Sequence, residues 1–336
     1  MVRGTLSLPR PFSLGLTLLC GQCFRWNGPD VHGWFQGIAG QVFWRLQQEG
    51  DHLHWECSSS SVEGEPVSLW LFRYLNLEED LEAWAASLKG DPVLATPVGL
   101  LRGLRLIRQD PWECVISYMF AQGLSVKVIR RALQKFCVKF GRSIPGAPGF
   151  HAFPLAKDLA QLSPDTLRAF TNNYRARADR VIRAARAVEA RVISLNYLKT
   201  IPCDQAREAL MSLDGIGPKI ADCILLFSMD QPSAFPVDRW VLRAMKRNFK
   251  SVKLLGAGEE APNQAQYLTI VQKARSTFGD RCGLASEYLF LYLRLLEDDS
   301  LRADLAPFCQ TADWPVPPPR KPKPPRKAQK ILRIFP

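Results

Sequence analysis

Residues 204–229 hold the pattern that most restricts how this chain can fold. Ala206, Ala209, Leu210 and Leu213 share one helical face, Gly215 and Gly217 flank Ile216, and Pro218 opens a second apolar-periodic run. In that run Ile220, Cys223, Ile224 and Phe227 recur at i, i+3, i+4, i+7. Glycines permit a tight turn and close backbone approach, and proline suits a first helical turn, where its missing N–H costs little. The pattern therefore predicts two helices joined by a tight turn, with free amides at the second helix N-terminus, a ready anion site. Lys219 follows the turn and Asp238 closes the later run Phe-Pro-Val-Asp. In the plainer reading Lys219 is one more phosphate contact and Asp238 a helix N-cap worth ~1 kcal/mol. In the sharper one Lys219 is an amine nucleophile and Asp238 a carboxylate facing a growing positive charge.

The net charge of +12 points to a polyanionic partner. From Thr311 onward seven Lys/Arg stand against one acid, a net of +6, so the body carries the remaining +6. The nine cysteines show no metal spacing beyond the lone Cys20/Cys23 pair, and the four histidines form no cluster, His52 and His54 sharing only a strand face. We expect reduced thiols, no metal and no cofactor. No apolar run approaches the ~20 residues of a membrane span, and Leu14–Cys20, which superficially resembles a short signal, is argued against by Pro9 and Pro11 before it and by the strand-like sequence directly after it.

The expected fold class is α+β. Residues 12–57 read as a β meander with strands at Cys20–Trp26, Trp34–Ala39, Gln41–Leu46 and His52–Cys57, separated by turn signals such as Asn27-Gly-Pro-Asp. Leu77–Leu88 is a candidate to cover its apolar face. Beyond residue 92 the period becomes helical, with helices expected at Trp112–Gln122, Val126–Phe140, Ala156–Leu162, Pro164–Thr171, Ala176–Ser194, Asp204–Leu213, Lys219–Met229, Arg239–Phe249, Asn263–Phe278 and Ala285–Leu296. The division is an antiparallel β domain over 1–91, a two-lobed helical body over 92–310 carrying the hairpin at 204–229, and a disordered, basic, Pro-rich tail over 311–336.

Leu213-Asp-Gly-Ile-Gly-Pro-Lys219, then Ala221-Asp-Cys223, then Pro236-Val-Asp238, resembles the helix-hairpin-helix, Gly/Pro-Asp superfamily of DNA glycosylases. The lysine marks its lyase-competent members. Four further motifs resemble the 8-oxoguanine DNA glycosylase branch: Gly21-Gln-Cys-Phe-Arg-Trp26, Arg105-Leu-Ile-Arg-Gln-Asp-Pro-Trp-Glu-Cys114, Asn173-Tyr-Arg-Ala-Arg-Ala178 and Ala285-Ser-Glu-Tyr-Leu-Phe290. The likeness runs in order from about residue 12 to residue 300.

The resemblance implies a base-excision enzyme that flips a damaged nucleotide out of duplex DNA. Asp238 then stabilises the sugar cation, and Lys219 attacks C1′ to give a Schiff base and a nick by β-elimination. Burial is expected to lower the Lys219 pKa. By the same likeness the Gly21 carbonyl accepts from N7–H of 8-oxoguanine, Cys223 and Phe290 face the base, Ser286 lines the pocket, Tyr174 wedges into the stack, and Gly215, Gly217 and Arg239 hold the backbone. Arg175, Arg177, Arg180, Arg183 and Arg186 form a basic helix face that could track phosphates. The chain departs from the family pattern at Gly123 and Leu124 (asparagines expected), Val128 (arginine), Ser286 (glutamine) and Trp240 (histidine), which leaves cytosine preference opposite the lesion unsupported. The expected protein is an intracellular monomer located with the DNA, with damaged duplex as partner and no membrane. Two alternatives stay open: a glycosylase for another damaged base on this scaffold, and a non-catalytic DNA-binding module.

Overall fold

The computed structural model describes residues 1–170, 175–249, 252 and 261–310. Tyr174 and the tail 311–336 lie outside them.

A five-stranded antiparallel sheet occupies the N-terminal part, in the order β1-β5-β4-β3-β2, with β1 Val2–Ser7, β2 Trp26–Asn27, β3 Phe35–Ala39, β4 Val42–Glu49 and β5 His52–Cys57. Alternation sets the register: Trp44, Leu46, Leu53, Trp55 and Cys57 are buried, and Leu46 pairs with Trp55 across β4 and β5. Three expected strands are found close to their expected bounds. Cys20–Trp26 is a correction, because only Trp26 and the following Asn27 pair in the sheet. Gly21 turns the chain at φ +114°, and the buried Gln22 side chain then ties the segment to the body. The edge strand β1, unforeseen, pairs with β5 from Val2↔Cys57 to Ser7↔His52.

The helices that cover the sheet also differ from expectation. Leu14–Leu19 is a short helix, α1, whose N-cap Ser13 hydroxyl accepts from Leu16 N–H. Leu14 and Leu18 enter the sheet's core while Leu16 enters the body's. Val67–Tyr74, α2, covers the sheet, with Trp70 stacked on Trp44 at 5.5 Å. Within the expected cover Leu77–Leu88 the helix is Leu81–Ser87, and it packs on the body instead, with Trp84 5.3 Å from Tyr288.

The body is helical, with main helices Pro111–Phe120, Val126–Phe140, Arg175–Glu189, Cys203–Met211, Pro218–Ser228, Arg239–Asn248, Gln264–Phe278 and Cys282–Glu297. Its buried side chains form one cluster running from Leu16 to Leu305. Full burial of each Leu or Phe in it is worth about 1.5–3 kcal/mol. Asp110 caps the first of these helices through Glu113 N–H, with Pro111 at the first helical position. Arg175–Glu189 stops short of the expected Ser194, since Arg191 turns left-handed at φ +56° and Val192 N–H returns to the Ala187 carbonyl.

A buried ionic network locks the hairpin helices to their neighbour. Asp222 Oδ1 accepts from Arg207 Nε at 2.7 Å and its Oδ2 from the Tyr267 hydroxyl at 2.6 Å. Arg207 and Arg275 share Asp204. The network spans Cys203–Met211, Pro218–Ser228 and Gln264–Phe278, so the orientation of the helix bearing Lys219 is fixed by paired charges as well as by packing.

Candidate active site

The turn between the hairpin helices runs as Asp214-Gly-Ile-Gly217. Gly215 has φ +89°, and a Cβ there would stand 2.6 Å from Arg180 Cδ, so this position requires glycine on two counts. Its carbonyl accepts from Gln122 Nε2 at 2.6 Å. Gly217 caps the second helix and a Cβ on it would meet nothing within 4 Å, which leaves that side of the turn open to a ligand. Asp214 is gripped by Arg180 and Arg183. Arg177 donates to the Gln122 carbonyl and Arg186 to the Ala160 carbonyl. Of the basic face expected to track phosphates, Arg180 and Arg183 hold the turn through Asp214 and Arg177 supports it through Gln122, while Arg186 ties the helix to Ala160.

Lys219 is half-buried one residue into the second helix, and its Nζ lies 5.6 Å from the centre of the Tyr118 ring. Tyr118 is buried and its hydroxyl donates to the Gln22 carbonyl at 3.1 Å. Cys223, one turn after Lys219, is buried, and burial pushes its thiol up to about 12. Asp238 caps Arg239–Asn248, its Oδ1 accepting from Trp240 N–H and Val241 N–H, each at 2.8 Å. Burial raises its carboxyl above the ordinary range, against those two amides and Lys219.

The expected lowering of the Lys219 pKa is overturned. The Cys223 sulfur, then the Asp238 and Glu287 carboxyls, hold the ammonium above the ordinary lysine value, and burial, which pulls the other way, is outweighed.

Glu287 is the residue that motif reasoning passed over. It sits in the apolar run Leu284–Phe290, is 4% exposed, and its Oε1 has no hydrogen-bond partner. Burial carries its carboxyl up to about 7; the Cys20 hydrogen bond, Arg294 and Lys219 oppose the rise and Asp238 adds to it. An acid inside an otherwise apolar helix run is the sequence signal that could have found it.

Gly21 comes from the N-terminal segment and faces the helix that carries Glu287. A Cβ there would stand 3.1 Å from Arg294 Nη1 and 3.6 Å from Phe290 Cε1, so a bare backbone faces Phe290. Arg294 lies over the Phe290 ring at 5.0 Å and donates to the Cys20 carbonyl at 3.1 Å. The next residue holds this segment still: Gln22 Nε2 donates to the Thr17 and Arg105 carbonyls, and its Oε1 accepts from Ile107 N–H. The fold thus brings Lys219, Cys223, Asp238 and Glu287 into one electrostatic group, and Gly21 and Phe290 against Arg294 beside it. Ser286 is buried and its hydroxyl donates to the Gly283 carbonyl at 2.7 Å, so only lone pairs remain for a ligand. Arg239 is exposed, its guanidinium 4.8 Å from the Trp240 ring.

Among the described residues no group of three or more His, Cys, Asp or Glu could hold a metal, and no helix is long and apolar enough to cross a membrane. All nine cysteines are free thiols.

Residues 6–115 match the family described as 8-oxoguanine DNA glycosylase, N-terminal domain, and residues 116–254 match the HhH-GPD superfamily base excision DNA repair protein family. The chain is 30% identical over 286 residues to N-glycosylase/DNA lyase OGG1 of Arabidopsis thaliana, covering 83% of this chain and 76% of that one. Among solved structures it is similar to MBOgg1 in complex with a low-affinity DNA ligand (TM-score 0.76, 28% identity, 88% of this chain and 96% of that one). It is also similar to the Clostridium acetobutylicum 8-oxoguanine glycosylase/lyase in complex with double-stranded DNA containing cytosine opposite 8-oxoG (TM-score 0.73, 29% identity, 84% and 92%).

Proposed function

The chain belongs to the 8-oxoguanine N-glycosylase/DNA lyase family of the HhH-GPD superfamily, and from that membership we propose a role for each of its site residues. It is a base-excision repair DNA glycosylase with lyase activity, and it binds DNA. The proposed substrate is duplex DNA containing 8-oxoguanine, handled by a monomer located with the DNA. The helix-hairpin-helix turn, at Gly215 and Gly217, grips a backbone phosphate with its free amides, and Arg239 adds a second contact. The damaged base enters between Cys223 and Phe290, with the Gly21 carbonyl accepting from its N7–H, a donor that guanine lacks. Tyr174 fills the vacated stack. The division near residue 91 assigns base entry to both parts, since Gly21 comes from one and Cys223 from the other.

Asp238 stabilises positive charge on the sugar as the N-glycosidic bond breaks. Lys219 Nζ bonds to C1′ while the base departs with the bonding electrons and takes up a proton. Ring opening leaves a Schiff base, and loss of a C2′ proton expels the 3′ phosphate. An amine that rests as an ammonium must first give up a proton. Asp238 and Glu287 are the acids in its field, and burial makes both stronger bases than exposed carboxylates. Arginine could bind phosphate here but could not form the Schiff base.

The observation that carries this reading is the grouping of a half-buried Lys219 with Asp238, Cys223 and Glu287, beside a side-chain-free Gly21 facing Phe290. A second reading, another damaged base on the same scaffold, is favoured by two observations: Ser286 spends its proton on Gly283, and Glu287 brings an unexpected buried acid. The test is base release and strand nicking on duplexes holding 8-oxoguanine opposite each of the four bases, beside a panel of alkylated and oxidised bases. Preferred cutting at 8-oxoguanine supports the first reading; preferred cutting at another base replaces it with the second.

A further inference from the structure

A cleft of about 440 Å³ opens between helix Val126–Phe140 and the sheet, bordered by Phe24, Arg25 and Asn27. The volume is that of a small-ligand site. Lys127, Arg130 and Arg131 line it from the helix, Phe24, Phe150 and His151 from the other side, and no Asp or Glu lies on its wall. Most clusters of arginine in this protein are paired with acids: Arg207 and Arg275 with Asp204, Arg108 with Glu78 and Asp230, Arg180 and Arg183 with Asp214. Arg130 is not. Its Nε and Nη2 are buried without a hydrogen-bond partner, and His151 Nδ1 is likewise buried and unsatisfied. Buried polar atoms left unsatisfied are costly, and a native structure that keeps such atoms on both sides of one cleft points to a ligand that satisfies them.

The chemistry of the wall selects that ligand. Guanidinium nitrogens fork onto phosphate oxygens, and the half-buried Phe150 ring offers an apolar surface against which a base can lie. We propose that this cleft is a second binding site, distinct from the Lys219 group, that takes a phosphate-bearing nucleotide unit with Arg130 as its anchor. Two ring contacts connect it to the proposed base pocket: Phe24 packs on Tyr118 at 5.5 Å, and the Tyr118 ring lies beside Lys219 Nζ. The nucleotide unit could come from the DNA the enzyme is bound to or from a free nucleotide; the contacts are the same.

Titration calorimetry of the full chain with deoxyguanosine monophosphate and with inorganic phosphate, together with a salt series of binding to a lesion-free duplex, tests this without reliance on catalysis. The variants are Arg130→Gln and Arg131→Glu, the second at an exposed position where folding is not at stake. Loss of one charged phosphate contact should weaken nucleotide binding by about ten- to a hundredfold. If the DNA itself supplies the unit, each variant also lowers the salt slope of duplex binding by about 0.9 per lost contact. If free nucleotide does, that slope stays and only nucleotide binding falls. In both cases nicking of a preformed abasic site at saturating enzyme is unchanged. The proposal is overturned if wild-type protein takes up neither nucleotide nor phosphate and both variants leave the duplex salt slope as it was.

Discussion

Replacing Glu287 by Gln should alter how stability depends on pH, by an amount the structure sets. The carboxyl rises from 4.5 to about 7 on folding, chiefly because burial removes it from water. The folded chain therefore holds this proton more tightly than the unfolded one. Below pH 4.5 both states are protonated and the burial costs nothing. Between 4.5 and about 7 the unfolded chain ionises first, so stability falls as pH rises, and above 7 the full penalty is present. A rise of that size is worth about 3 kcal/mol. Glutamine keeps the shape and cannot ionise. Urea unfolding of both proteins from pH 4.5 to 8 should show the variant gaining about 3 kcal/mol on wild type across the range, the attraction of Lys219 and Arg294 for the ionised acid being already contained in that rise. Parallel curves, with a difference independent of pH, would refute the claim that Glu287 is a buried, proton-holding acid beside Lys219.

Asp238→Asn keeps the cap, since Asn serves as well as Asp, but removes the charge; lesion-duplex binding should persist while base release in single-turnover kinetics falls at least a hundredfold, an order expected for one electrostatic contact, and near-normal release would reject that role. Asp222→Ala takes the buried acceptor from Arg207 Nε and leaves that guanidinium only the exposed Asp204, and should lower unfolding free energy by about 3 kcal/mol in denaturant titration; a loss under 1 kcal/mol would mean that packing alone orients the hairpin. Gly21→Ala forces a left-handed φ of +114° on alanine and sets its Cβ against Arg294 and Phe290; a stability loss of about 1–3 kcal/mol should accompany a larger loss of lesion cutting, and full activity would show that no base approaches there.

Much of the helical body was legible because its apolar residues repeat with helical period and its starts carry caps. Val126–Phe140 was read to the residue, and Trp112–Gln122 fell within two residues of the helix Pro111–Phe120 at both ends. The N-terminal segment was harder. Leu14–Leu19 is apolar at nearly every position, so it carries no period, and only its place between two cores makes it a helix. The strand Val2–Ser7 lies at a sheet edge with little alternation to reveal it. At the site, Lys219 and Asp238 were named from spacing, but the charge state of Lys219 was not, since it is set by groups brought together from residues 223, 238 and 287. Glu287 itself was hidden by its helix, whose surrounding residues read as core.

The account turns on Lys219 becoming a covalent nucleophile, and borohydride reduction during turnover on an 8-oxoguanine duplex addresses that most directly. Wild type should be captured as a protein–DNA adduct, with Lys219→Ala and Lys219→Arg giving none although both still bind the duplex. An adduct of undiminished yield in the Ala variant would contradict the assignment, whatever else the protein does to DNA.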